Sequence, residues 1–311
     1  MSPSPVRAAY EHNGFCVVPG LINPSLIDRV LADLEAAKTS SRRYYTQSTH
    51  TWVKLNNISP EGFLNESIQT PTKQPSIGPL RDSVRQLIVS PSISTALADL
   101  SDFTSFINWQ NMLFDKSVGT VDHADTWYLD TAPRGLMIAA WIALEDIHPD
   151  SGPFFVVPGS HRIQLAENDR STVQDHYQYA EFIRTYISDN NLERVSPRMN
   201  KGDVLFWHPN TIHGSFSQAD ARRSRKSVTA HYHPVGLGRS GHQESPAAIA
   251  AILKHMQATE NPAIFLDNVD PSTFQFYYKS LLRYYVRRLL GKRPQGSVLM
   301  NRDVAYSQSS R

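Results

Sequence analysis

Gly202-Asp203-Val204-Leu205-Phe206-Trp207-His208-Pro209-Asn210-Thr211-Ile212-His213-Gly214-Ser215 is the stretch whose reading decides the fold. Val204 to Trp207 read as a strand, Pro209 and Asn210 break it, and the chain then reaches a histidine that small residues follow at once. That histidine, His213, is a candidate metal ligand. Its partners are sought upstream in His123-Ala124-Asp125. Along a strand, residues i and i+2 point to one face, so this spacing brings an imidazole and a carboxylate to one point.

Such a triplet carries little weight alone. With 12 histidines and 19 aspartates in 311 residues, about 0.7 His-x-Asp triplets are expected by chance, and a second one is present. His148-Pro149-Asp150 has the same pattern, but its proline removes a ladder donor and it runs into Ser151-Gly152-Pro153, so it reads as a turn. A lone histidine or aspartate is ordinarily a structural or surface residue. Together, His123, Asp125 and His213 form a two-histidine, one-carboxylate set that suits iron(II). It leaves coordination positions open for a cosubstrate and oxygen, the arrangement of non-haem iron oxygenases.

The sequence between and beyond the half-sites supplies strands. Leu136 to Leu144 is a long apolar run read as a buried strand, and Phe154 to Val157 is a second, bounded by Gly152-Pro153 and Pro158-Gly159. Val204 to Trp207 and Ser227 to Tyr232 are the third and fourth. Several short strands with turns between them point to a sandwich or barrel.

At this level the chain resembles the phytanoyl-CoA dioxygenase group of iron(II)- and 2-oxoglutarate-dependent oxygenases. The resemblance is carried by His123-Ala124-Asp125, by Ser151-Gly152-Pro153-Phe154-Phe155-Val156-Val157-Pro158-Gly159-Ser160-His161-Arg162, and by Gly202-Asp203 leading to His213-Gly214-Ser215. Tyr10 to Ile22 is similar to the family's first strand, followed by a helix near Ser25 to Lys38. The resemblance spans about residues 8 to 235 and implies a mainly β fold, a double-stranded β-helix (jelly roll) with flanking α-helices. It also implies oxidation of a small organic molecule, a specialised metabolite first and an acyl-CoA second, coupled to conversion of 2-oxoglutarate to succinate and CO2; the alternative is a non-catalytic, metal-binding jelly-roll protein, which has no need of a carboxylate clamp. Related halogenases lack the carboxylate that Asp125 supplies here, so its presence implies hydroxylation or a related C–H oxidation.

2-Oxoglutarate needs a cation for its distal carboxylate, and arginine offers a rigid two-pronged donor set. Arg222, Arg223 and Arg225 compete for this role. By resemblance the clamp lies about eleven residues past the distal histidine at the start of a strand. Arg225-Lys226-Ser227-Val228-Thr229 fits best, with one inserted residue. The alternative for such a run is a solvated basic cluster. Ser215 and Trp141 resemble positions that line the cosubstrate pocket, although Trp141 is equally read as a core aromatic.

The near balance of 31 basic and 29 acidic residues, net +2, implies no nucleic-acid or other strongly charged partner. Composition, the single cysteine Cys16 and the absence of a 20-residue apolar span suggest a cytoplasmic protein without a membrane segment. The chain reads as one oxygenase domain over 1–311, with the family-like core at 8–235 and a helical extension at 245–311. That extension reads as two helices, Pro246 to Ala258 and Pro271 to Leu290. The second is basic and amphipathic, suited to packing on the domain or on a second subunit, or to an anionic partner. Trp52, Lys54, Asn56 and Asn57 are candidate contacts at the mouth of the site, with solvated loop residues as the alternative. Val173 to Glu193 is either a lid or an amphipathic helix packed on the barrel.

Overall fold

The computed structural model describes residues 3–46, 51–127, 129–163, 176–239 and 246–267, with Leu282, Val286, Leu289 and Leu290 beyond them. In chain order the elements begin with α1 (Pro5–Asn13), β1 (Phe15–Val18), α2 (Pro24–Lys38), β2 (Arg43–Thr46), β3 (Thr51–Lys54) and β4 (Ile68–Gln69). They continue with α3 (Pro79–Ile88), α4 (Pro91–Leu100), β5 (Phe106–Phe114), β6 (Thr131–Ala132), β7 (Ile138–Ala143) and β8 (Phe154–Val156). The remainder are α5 (His176–Asp189), β9 (Val204–Trp207), β10 (His213–Ser215), β11 (Ser227–Pro234), β12 (Gly238–Arg239), α6 (Pro246–Lys254), β13 (Met256–Gln257) and β14 (Ile264–Asp267). Each of α1 to α4 opens on a proline in its first turn, where a missing N–H costs no helical bond. Gly14 closes α1 in the left-handed region at φ 80, and a Cβ there would stand 2.5 Å from Thr211 Oγ1, so only glycine fits.

The large sheet runs β1-β9-β7-β11-β5-β14-β13, with β4 also on β5. β7 and β9 are buried on both faces, which is why they read as continuous apolar runs, whereas β11 is buried but alternates polar and apolar residues. Alternation assigns the faces. Ile138, Ala140, Ile142, Val204, Phe206, Val228, Ala230 and Tyr232 turn to one side, into a core shared with Ile27, Val30 and Leu34 of α2, Leu80, Val84 and Leu87 of α3, and Ile93 and Leu97 of α4. Ala139, Trp141, Ala143, Leu205 and Trp207 turn to the other, against Phe154 and Val156 of β8. There β8 and β10 pair as a second, smaller sheet, and the gap between the sheets is the inside of the barrel.

The four strands expected from the sequence correspond to β7, β8, β9 and β11, and the helix expected from Ser25 to Lys38 is α2. The C-terminal extension differs. Its first helix stops at Lys254 instead of Ala258, and β13 and β14 follow, with β14 adding to β5 in parallel. This part of the chain therefore contributes to the barrel sheet and is not purely helical. Most of the expected helix from Pro271 to Leu290 lies outside the described residues. Among the described residues, no helix is long and apolar enough to cross a membrane.

His208, at the end of β9, sits 6.3 Å from the Tyr10 ring and 5.5 Å from that of His161, and its Nδ1 accepts from Asn210 N–H at 3.1 Å. Burial, reinforced by His161, pushes its pKa down to about 4. An unfolded chain takes up a proton near pH 6.5 that the folded chain refuses, so this residue costs stability as pH falls from 6.5 to about 4. His213 shifts in the same direction. Urea midpoints measured across that range should fall with pH, and His208→Asn should lessen the slope without removing it; an unchanged slope would contradict this assignment.

Candidate active site

His123, Asp125 and His213 come together in the barrel, all buried, with one ligand atom from each lying within 4.8 Å of the others. The backbone brings them there. His123 and His213 exchange N–H···O bonds of 3.0 and 2.9 Å as an isolated antiparallel bridge, which sets their rings 4.2 Å apart. Asp125 is not on a strand with His123, as the spacing had suggested, but opens a 3₁₀ turn, Asp125–Trp127. Its position is fixed by that turn, where Leu129 N–H donates to its carbonyl, and by Trp207 Nε1, which donates to Oδ2 at 2.9 Å. Gly214 follows His213 for a steric reason: a Cβ would meet Phe155 Cζ at 2.7 Å.

The protonation states favour ligation. His123 Nδ1 lies 2.8 Å from Val121 O and His213 Nδ1 2.8 Å from Thr211 O, an arrangement in which each ring is held from behind and turns Nε2 toward the site. Both Nε2 atoms lie 3.7 Å from an Asp125 oxygen. Burial alone would raise the Asp125 carboxyl, but His213, His231 and His123 outweigh it and hold it well below the ordinary carboxylate range. Burial, with repulsion from His123, pushes His213 down to about 3. At neutral pH the site thus offers one carboxylate and a neutral His213, the forms that bind a divalent metal.

A cavity of about 550 Å³, its open mouth included, reaches from the triad to Arg225. Arg225 is 2% exposed, and its guanidinium lies 5.1 Å over the Phe114 ring. Nε and Nη2 have no hydrogen-bond partner among the described residues. Desolvation lowers its pKa to about 10, which leaves it charged at neutral pH. A buried cation without a counter-ion is costly, and a ligand carboxylate is the group that would satisfy it. Arg222 and Arg223 have side chains 83% and 50% exposed and pair with Asp220. Trp141 Nε1 and Thr229 Oγ1, on residues that pair across β7 and β11 and line the same cavity, also lack partners.

The phytanoyl-CoA dioxygenase (PhyH) profile matches residues 10–226, a span that contains the triad and Arg225. The chain belongs to the phytanoyl-CoA dioxygenase family. It is 33% identical over 242 residues to the peroxisomal phytanoyl-CoA dioxygenase of Homo sapiens, covering 73% of this chain and 67% of that protein. Among solved structures, the epimerase SnoN in complex with Fe3+, alpha ketoglutarate and nogalamycin RO aligns with a TM-score of 0.57 at 20% identity over 78% of this chain and 87% of that one. EctD from S. alaskensis with 2-oxoglutarate and 5-hydroxyectoine aligns with a TM-score of 0.56 at 19% identity over 87% and 89%. These likenesses establish the jelly-roll fold. As a member of the phytanoyl-CoA dioxygenase family, the chain is an iron(II)- and 2-oxoglutarate-dependent dioxygenase.

Within this family member, other expected site residues fall differently. Ser215 is buried two residues past His213, but it is not among the side chains lining the cavity; its Oγ accepts from the N–H of Thr120, which does line it. None of Trp52, Lys54, Asn56 and Asn57 lines the cavity: Trp52 packs edge-on to Tyr45, and the other three are exposed on the surface. His148 caps the 3₁₀ turn Pro149–Ser151 with its side chain 39% exposed, so the second triplet stands in a turn apart from the cluster of His123, Asp125 and His213. His231 was missed. It lines the cavity from β11, with Nε2 3.5 Å from Asp125 Oδ2, and the signal was the polar i, i+2 series Ser227, Thr229, His231 and His233 that alternates with Val228, Ala230 and Tyr232.

Proposed function

We propose that this dioxygenase inserts oxygen into, or removes hydrogen from, a C–H bond of a small organic molecule of the specialised-metabolite type. In this reading His123, Asp125 and His213 hold the iron, and Arg225 binds the distal carboxylate of 2-oxoglutarate. The observation that carries it is the buried Arg225 guanidinium, without a counter-ion among the described residues, in the same cavity as the triad. Bound iron supplies oxygen activation coupled to decarboxylation of 2-oxoglutarate. The chain's own residues do the rest. Trp207 orients the Asp125 carboxylate, Trp141 and Thr229 offer hydrogen-bonding groups beside Arg225, and Ser215 acts indirectly by holding Thr120. Met112, Phe114, Leu129 and Phe154 make much of the remaining wall apolar, with Gln110 and His231 as polar points on it, which favours a substrate with an apolar body and few polar groups.

An acyl-CoA substrate is the second reading, favoured by the name of the human relative. Coenzyme A phosphates call for cations, and Arg225 is the one lysine or arginine among the described residues lining the cavity. Screening both substrate classes for coupled succinate formation tests the proposal; succinate release driven by acyl-CoA alone would decide for the second reading. Because Asp125 occupies the position a halide would need, products should carry added oxygen or lost hydrogen even in high chloride. Chlorinated product from the parent enzyme, seen by mass spectrometry, would overturn this reading of the metal site. The composition favours a cytoplasmic location, which cell fractionation would test.

A further inference from the structure

The loop carrying His123 and Asp125 is irregular, and on one side it is held by the bridge to His213. On its other side lies the segment from α5 to Val195, and the two meet at three points. Ala180 of α5 packs against Val121, the residue whose carbonyl fixes His123 Nδ1. Arg194 grips the buried Asp122 carboxylate through two bonds of 2.6 and 3.1 Å. Ala124, which stands between the two ligands and is fully buried, has its N–H donating to Tyr179 Oη at 3.1 Å, while the Tyr179 hydroxyl donates to the Ala124 carbonyl at 3.1 Å.

From these contacts we infer that α5 is a clamp on the metal-ligand loop, and that Tyr179 is a positioning residue that presets the spacing of His123 and Asp125. This rests on reading the triad as the iron site. Without the hydroxyl, a buried amide and carbonyl of Ala124 lose a partner, and the loop has reason to move toward other donors. The aromatic body of Tyr179 is anchored separately among Val157, Ile183, Ile187 and Ile212, so the clamp and the packing of α5 are separable. Val195 ties the far end of the segment to Val156 of β8 by N–H···O bonds of 2.8 and 2.9 Å, which gives the clamp a fixed base. By reciprocity, a loop that α5 stabilises for metal binding must stabilise α5 when metal is bound.

The test is an anaerobic iron(II) titration of the full chain, followed by tryptophan fluorescence. Tyr179→Phe, which keeps the ring, should raise the dissociation constant roughly tenfold or more, as loss of an outer support for metal ligands does. Ile183→Val thins the same packing without touching Ala124 and should stay within about twofold of the parent. Affinity in Tyr179→Phe equal to the parent, or a loss that Ile183→Val shares, would overturn the clamp. Should Tyr179→Phe not fold, hydrogen exchange of the parent decides: iron(II) slowing amide exchange in α5 supports the coupling, and exchange indifferent to metal overturns it. A parent that binds no iron would refute the site reading itself, a result distinct from either.

Discussion

Alanine at His123, Asp125 or His213 should raise the iron(II) dissociation constant by at least about 100-fold, because loss of outer supports alone commonly costs 10- to 100-fold. Asp125→Ala should be the most severe of the three. Its carboxylate is the one negative charge among the three clustered ligands, and a dication held by neutral imidazoles in a buried site lacks the counter-charge that makes burial tolerable. The variant also strands Trp207 Nε1, which now donates to Asp125 Oδ2. His148→Ala should bind as the parent does, since His148 sits in an exposed turn outside the cavity. An anaerobic titration of the four variants settles it: parent-like binding by His123→Ala, with loss in His148→Ala, would mean that the wrong triplet had been chosen.

The strands most legible in the sequence, β7 and β9, were those whose two faces are both apolar. β7 and β9 announce themselves because alternate residues go to the helical layer and to the barrel interior, and both environments ask for the same residue types. β5, the neighbour of β11, carried no such signal. Asn108, Gln110 and Asn111 interrupt its apolar residues, and a register shift opposite His231 and Tyr232 breaks the alternation. The buried asparagines are accommodated by hydrogen bonds that no local pattern reports: Asn111 Nδ2 donates to Thr72 Oγ1 and Asn108 Oδ1, and Asn108 Nδ2 to His231 O. β14 was invisible for another reason. Three apolar residues, Ile264 to Leu266, have no period of their own, and their strand character comes from pairing with Phe106 to Asn108.

At the site the residue types were legible and their geometry was not. His123 and Asp125 were found through an alternation that the chain does not use; a backbone bridge and a 3₁₀ turn bring the two groups together instead. Position along a strand is likewise weaker evidence than it looks. Ser215 shares a strand with His213, yet its hydroxyl is taken by Thr120 N–H, whereas His231, eighteen residues further on, lines the cavity. What decides each case is which hydrogen bonds the neighbouring backbone demands, and that is a property of the folded barrel.

Arg225→Ala should weaken 2-oxoglutarate binding by two to four decades, equivalent to about 3 to 5 kcal/mol for loss of one partner from a buried charged pair. The size of the effect follows from where Arg225 stands. Desolvation has already been imposed on the guanidinium by folding, as the fall of its pKa to about 10 reflects, so the incoming carboxylate meets a donor that has already lost bulk solvation and has no carboxylate partner among the described residues. Arg222→Ala and Arg223→Ala remove exposed side chains that pair with Asp220 and should change affinity by less than about twofold. Arg225→Lys separates charge from geometry. Lysine keeps the charge but gives up the fork that meets both carboxylate oxygens, so it should recover part of the lost affinity and not all of it. Calorimetric titration of 2-oxoglutarate into the metal-loaded variants makes the comparison. Equal, small losses at all three arginines would move the clamp elsewhere, and full recovery in Arg225→Lys would reduce the role of Arg225 to charge alone.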